Sequence, residues 1–311
     1  MMDIRQNSIQ HGVKKEHKIG RSKSDRFFYT VVTLILGLFT LIVTLPLINI
    51  VAASFSDSTA VLAGKVTFWP VDFTLDGYKA VFRNKDIGTG YINTIIYTVV
   101  GTLINIGVTL VCAYPLSRSE LPLRGAFMFL FTFTMFFSGG LIPNYINIRN
   151  LGLPDTFWVM VIPGAMSVYN MIVARTFIQS TIPNELLEAS LIDGSGYGRF
   201  FFSVVLPLSK AILAVLALNY AVGHWNSYFG ALIYLRSRDK FPLQIFLREI
   251  LVNNKVDESV LMDPEAMQIK KGISDLLKYS LIIVSTVPIL AFYPFVQKYF
   301  MKGVMIGSLK G

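Results

Sequence analysis

The chain has 311 residues, of which 53% are hydrophobic and 15% charged, with a formal net charge of +9 and a mean hydropathy of +0.55. A soluble domain carries roughly a quarter of its residues charged, so this composition argues against a soluble domain and for an integral membrane protein. The single cysteine, Cys112, lies inside an apolar run, which leaves no disulfide framework and no thiolate metal spacing.

Residues 1–26 form a polar tail in which Lys14, Lys15, Lys18, Arg21, Lys23 and Arg26 cluster. It reads as a disordered cytosolic segment. No aromatic residues interleave the basic ones and they abut an apolar run, so nucleic-acid binding is not expected. The run that follows, Phe27 to Val51, is too long for a signal sequence and ample for a span. Five more runs follow at 91–113, 126–146, 157–177, 211–235 and 276–295. A span needs roughly 20 mostly apolar residues, which predicts an all-α membrane fold of six helices occupying residues 27–299.

Basic residues set the orientation. With the N-terminus inside, the inner segments hold 15 Lys and Arg against seven Asp and Glu, and the outer ones 13 against 12. The balances, +8 and +1, make up the whole net charge. Both termini are therefore expected in the cytoplasm, and the charge bias needs no acidic ligand to explain it.

Two outer segments are substantial. Ser54 to Gly90 carries Trp69-Pro70 and a short helix starting near Leu75, and Arg236 to Asp275 carries an amphipathic helix, Leu243 to Leu251. Both are expected either to cap the bundle or to receive an external partner. Ser138-Gly139-Gly140 is expected to end the third span, with Asn144 to Thr156 returning along the outer surface. Pro163-Gly164, Pro288 and Pro294 should kink the fourth and sixth spans.

One inner segment is unlike the others: PNELLEASLIDGSGYGRFFFSVVLP, Pro183 to Pro207. Pro183 suits the first turn of a helix, and Glu185 and Glu188 lie near its positive end. Leu186, Leu187, Ala189, Leu191 and Ile192 give it an apolar side, and Asp193-Gly194 ends it. A Gly-rich elbow and a second short helix, Arg199 to Leu206, complete a knob suited to docking on another protein. In the fifth span, Asn219, Gly223, Asn226 and Gly230 fall on one stripe, with Tyr220, His224 and Ser227 beside it. Polar groups inside a membrane are costly, so this face is expected to point into the protein or a water-filled pathway. Interhelical hydrogen bonding is the plainer reading of the same residues. His224 has no second ligand near it in sequence, and no metal role is assigned.

Glu188-Ala189-Ser190, then Asp193-Gly194, then Leu206-Pro207 resembles the EAA signature of ABC-importer permeases, with Ser190 where a second Ala is usual. The resemblance extends to Pro70, Phe73-Thr74-Leu75 and Tyr78 of the first outer segment, to Trp225-Asn226, and to the closing Lys302-Gly303-Val304 and Gly307 to Gly311. These phrases are similar to those of carbohydrate-importer permeases of the maltose-transporter G-subunit type. The resemblance implies a permease subunit of a sugar importer, with complex oligosaccharides as cargo. It implies an ATPase-coupling role for Glu185, Glu188, Ala189, Ser190, Asp193, Gly194 and Pro207. The polar face of the fifth span makes Asn219, Tyr220, His224, Trp225 and Asn226 the expected pathway residues, and of these Trp225-Asn226 resembles a recurrent phrase in this span of sugar permeases. Lys302, Gly303 and Lys310, in the cytoplasmic tail 300–311, would reach toward the ATPase. The partners implied are a second related permease, two ATPase subunits that bind the ATP and Mg, an external sugar-binding lipoprotein and membrane lipid, in a bacterial plasma membrane. The chain itself is expected to bind no cofactor. It contains no G-x-x-x-x-G-K-[ST] loop and no paired-carboxylate array in a span, so enzyme chemistry has no visible home. An ABC permease for a non-sugar solute and an ion-coupled carrier are the alternatives. The latter predicts paired charges within spans and an internal repeat, and neither is plain here.

Overall fold

The computed structural model describes residues 23–252, 272 and 275–294, and every regular element among them is helical. The chain divides into two compact units, Met1–Asn49 and Ile50–Gly311. The described part of the first belongs to one helix, α1 (Lys23–Ser54), which runs through Pro46. The second unit contains the last turn of α1 and, in chain order, α2 (Ser58–Leu62), α3 (Asp76–Arg83), α4 (Lys85–Ser117), α5 (Arg124–Phe136), α6 (Leu141–Asn150), α7 (Val168–Thr181) and α8 (Asn184–Ile192). Then come α9 (Tyr197–Phe200), a π turn at Phe201–Val205, α10 (Leu206–Leu208), α11 (Lys210–Trp225), α12 (Phe229–Tyr234), α13 (Leu243–Val252) and α14 (Asp275–Pro294).

The 33-residue helix α4 is the axis of the second unit, with α11, α7 and α13 packed along it. Asn84 starts it by accepting hydrogen bonds from the backbone N–H groups of Asp86 and Ile87. At 1.5 Å per residue it is about 50 Å long, more than the ~30 Å hydrocarbon core. The principal core joins Leu110, Ala113 and Leu116 of α4 to Met171, Ala174 and Ile178 of α7 and to Ile212 and Leu216 of α11.

Among the described residues the six expected spans are not found as six separate long helices. Three helices (α1, α4 and α14) are long and apolar enough to cross a membrane. Two more spans are reached if each bent pair is counted as one: α5 with α6, bent by 114°, and Tyr197–Leu208 with α11, bent by 80°. The run 126–146 breaks at Ser138-Gly139-Gly140, where Gly140 has φ +83°, a conformation that only glycine adopts freely. Chain beyond the break, including part of the segment expected to return along the outer surface, forms α6. The run 157–177 is interrupted more deeply than by a kink. It opens as a 3-10 turn at Phe157–Met160, stops at Pro163-Gly164, and resumes as α7 only at Val168. In the run 211–235, α11 ends at Trp225 and α12 begins at Phe229. The expected helices near Leu75 and over 243–251 are present as α3 and α13.

The N-terminal half of α4 is stitched to residues 236–243. The Asn93 side chain donates to the carbonyls of Asp239 and Phe241, Tyr97 donates to that of Lys240, and Thr94 accepts from Leu243 N–H at 2.8 Å. Asp155, at φ +56°, accepts from the N–H groups of Arg236 and Ser237, both at 3.0 Å, from the Ser237 hydroxyl and from Lys240 Nζ. These donors, Ser237 first, hold its carboxyl well below the ordinary carboxylate range. Arg238 pairs with Asp86 at 2.8 Å and Glu249 at 3.2 Å while lying over the Phe246 ring.

Candidate functional site

The knob hangs from the other end of α4. Pro183 stands just before the first helical residue of α8, with Glu185 in the first turn. At the far end the Ser195 N–H reaches the Ser190 carbonyl at 2.9 Å and the Gly194 N–H reaches that of Leu191 at 3.0 Å. This is a Schellman stop, and Gly194 supplies the φ of +76° that it requires. The elbow is thus hydrogen-bonded at Gly194 rather than loose.

Of the expected apolar side, only Leu187 is inserted, at 2% exposure, into the core that also holds Ile182, Phe200 and Val205. Leu186, Leu191 and Ile192 are exposed, Ile192 at 85%. Glu185, Glu188, Ala189, Asp193, Gly194 and Pro207 are also exposed, and Ser190 is half-buried. The knob therefore presents a surface of mixed acidic and apolar character, fixed beneath by a few buried anchors.

One anchor escaped the sequence reading, which counted Arg118 only as an inner charge. Arg118 is 4% exposed, its guanidinium 5.4 Å from the Tyr114 ring centroid and 5.7 Å from that of Phe200. Its Nη1 donates to Asn184 Oδ1, at the start of α8, at 3.1 Å. Nε and Nη2 have no partner among the described residues. A polar cavity of about 300 Å³ lies alongside, lined by Ser117, Ser119, Arg124, Gln179, Asn184 and Glu185. No local signal marks Arg118, because Asn184 is 66 positions away.

The fifth-span residues divide. Asn219 donates to Asn170 of α7 at 3.2 Å. Tyr220 is buried, bonded to Thr109 of α4 at 2.6 Å, and accepts from Ser167 N–H at 3.1 Å. His224 Nε2 lies 3.3 Å from Asn105 Oδ1, and Asn105 donates to the Gly164 carbonyl. Gly101 makes room for the imidazole, since a Cβ there would overlap the ring. These contacts join three predicted residues to Asn105, Thr109, Asn170 and Ser167, which the sequence reading missed. Asn105 and Thr109 lie one turn apart on a run read only as apolar, and that spacing was the available signal. Trp225 stands apart. It is buried, donates from Nε1 to the Ser285 carbonyl of α14 at 2.9 Å, and meets Tyr91 edge-on. Asn226 is exposed and bonds back to the Val222 carbonyl. Asn219, Gly223 and Asn226 leave an exposed polar stripe along α11. Lys302, Gly303 and Lys310 lie outside the described residues.

No family model matches the chain. Among curated proteins it is 37% identical, over 92% of its length and 99% of the other's, to the polygalacturonan/rhamnogalacturonan transport system permease protein YtcP of Bacillus subtilis. It is 38% identical, over 95% of its length and 99% of the other's, to protein LplC of the same organism. Among solved structures, a chain of a bacterial ABC transporter involved in import of the acidic polysaccharide alginate matches with a TM-score of 0.83 at 35% identity. That match covers 90% of this chain and 99% of the other.

Proposed function

Because this chain belongs to the permease subunits of carbohydrate ABC importers, we propose that it carries oligosaccharides across the membrane and that its Pro183–Pro207 knob couples it to the ATPase. It is a transport subunit, not an enzyme, and ATP hydrolysis belongs to a separate subunit. The observation that carries the coupling role is the construction of α8: anchored beneath by Leu187 and Arg118, closed by the Gly194 stop, and bare on the surface that holds Glu188, Ala189 and Ile192.

In this reading two ATPase subunits hold the ATP and Mg, a second related permease completes the pathway, and an external sugar-binding lipoprotein delivers cargo. The balance of basic residues supports cytoplasmic termini, which puts the knob on the side where ATP is available. Closure of the ATPase pair displaces α8. Leu187 and Arg118 pass that displacement to α4, whose middle carries Asn105 and Thr109. A push that favours one of two bundle states shifts their populations, and hydrolysis reverses it. The tail with Lys302, Gly303 and Lys310 adds a second contact with the ATPase. The relatives' cargoes, galacturonan-type polymers and alginate, support an oligosaccharide as substrate.

The test is ATP hydrolysis by the reconstituted complex carrying Glu188→Lys or Gly194→Asp. The expected result is that sugar-loaded binding protein stimulates hydrolysis in the native complex and not in either variant. Normal stimulation and transport in both variants would refute the coupling assignment.

A further inference from the structure

A cavity of about 400 Å³ opens between α6, the broken segment before α7, and α12. Asn144, Asn147, Pro163, Gly164 and Tyr234 line it, with Ile148 and Ile162 among its apolar neighbours. That volume falls within the range of small-molecule sites.

Three observations bear on what fills it. First, its walls come from the two places where expected spans are broken: the 114° bend between α5 and α6 and the stop at Pro163-Gly164. Backbone that leaves the helix at membrane depth persists only where protein covers it or where it faces a water-filled cavity. Second, the Asn144 and Asn147 side chains, three residues apart on one face of α6, are exposed and engage no other group among the described residues. Free amides in lipid are costly, so this face meets water or a polar ligand. Third, Tyr234 is stacked on Tyr145 of α6 with centroids 5.9 Å apart and planes 9° apart, so the cavity has a braced aromatic wall as well as the amides. The carbonyl of Gly164 joins the cavity to Asn105 and through it to His224.

We propose that this cavity is a glycosyl subsite of the permease itself, in which Asn144 and Asn147 hydrogen-bond the hydroxyls of a pyranose ring and Tyr234 packs on its C–H face. The proposal rests on the carbohydrate-importer reading and names where this subunit touches the cargo. The lining residues are uncharged, so the ring hydroxyls are what the site recognises. Loss of one amide–hydroxyl pair is worth about tenfold in occupancy.

The experiment uses the complete importer in lipid nanodiscs with its binding protein. The probes are oligogalacturonides, alginate oligomers, maltotriose and raffinose. With Cys112→Ser as background, Asn147→Cys is labelled by a maleimide with and without a transported probe and ATP. In parallel, sugars moved per ATP are counted for Asn144→Ala and for Asn144→Gln. Protection of position 147 by the probe, with a roughly tenfold fall in sugars per ATP for Asn144→Ala and partial recovery for Asn144→Gln, is the expected result. Transport by the native complex with no protection and an unaltered ratio in Asn144→Ala would overturn the subsite and leave the importer reading standing. Transport of none of the four probes would remove that reading and the subsite with it.

Discussion

At the Asn93–Tyr97 end of α4, side chains are tied to backbone carbonyls and N–H groups of residues 236–243, and Asp155, Arg238 and Lys240 add charged links. At the Tyr114–Arg118 end the attachments are mostly apolar, Leu187 and Phe200 among them, with Arg175 donating to the Leu116 carbonyl at 2.8 Å and one buried guanidinium that has a single hydrogen-bonded side-chain partner among the described residues. The first end is held by several directional contacts at once. The second is held by apolar packing and a few hydrogen bonds, and it is the end whose outer surface is left bare. Under the proposed coupling role, the sparsely tied end is the one that would be pushed and the densely tied end the one that would stay fixed.

The comparison breaks most visibly at Leu187. Leu187→Ala removes the main plug beneath α8 and should cost about 2–5 kcal/mol. It is read as a lower Tm of the detergent-solubilised protein together with loss of sugar-stimulated ATPase in the complex. Stability close to the native value would mean that α8 is held by something other than its core anchor.

Arg118→Met separates holding from stability. A buried cation with no carboxylate partner among the described residues is replaced by an apolar chain of similar length, so Tm should stay level or rise. The link to Asn184 and the two rings disappears, about 1–2 kcal/mol of positioning, so stimulated ATPase should fall about tenfold. Stimulation at the native level would show that Arg118 only fills space.

At the opposite end, Asp155 gives a pH signature. Its lowered carboxyl contributes stability that is fully present above the ordinary carboxylate range, near 4, and is lost as pH falls through the lowered folded value. Native protein should lose Tm progressively below about pH 4. Asp155→Asn should start several degrees lower at pH 7 and show a flatter profile. Parallel curves would mean that other carboxyls carry the acid sensitivity.

The smallest effect is expected at Lys79, whose ion pair with Asp76 is 62% and 67% exposed on its two sides. Solvent and salt screen such a pair, so Lys79→Ala should leave Tm and transport unaltered, and a clear loss would mark α3 as a docking surface.

Much of the fold was legible because membrane helices are locally specified. A long apolar run must satisfy its own backbone, which is why 91–113 was recognisable as α4 and 276–295 as α14. The stop at Gly194 and the helix over 243–251 were legible for the same reason, since a left-handed turn and an amphipathic period are written in neighbouring residues. Glycine and proline marked where the third and fourth runs change direction, yet they gave no angle. The 114° bend is a relation between two helices, which no pattern within either one records.

The sequence by itself therefore determined the membrane character, the long helices and the ends of the knob, all properties that a segment of chain settles within itself. Only the tertiary structure decided that Arg118 meets Asn184, that Asp155 gathers donors from 81 to 85 residues away, and that Trp225 turns to Ser285 while His224 turns to Asn105. Those choices join groups far apart in the chain. Their energies exist only once the helices have brought the partners together, and no local pattern records them.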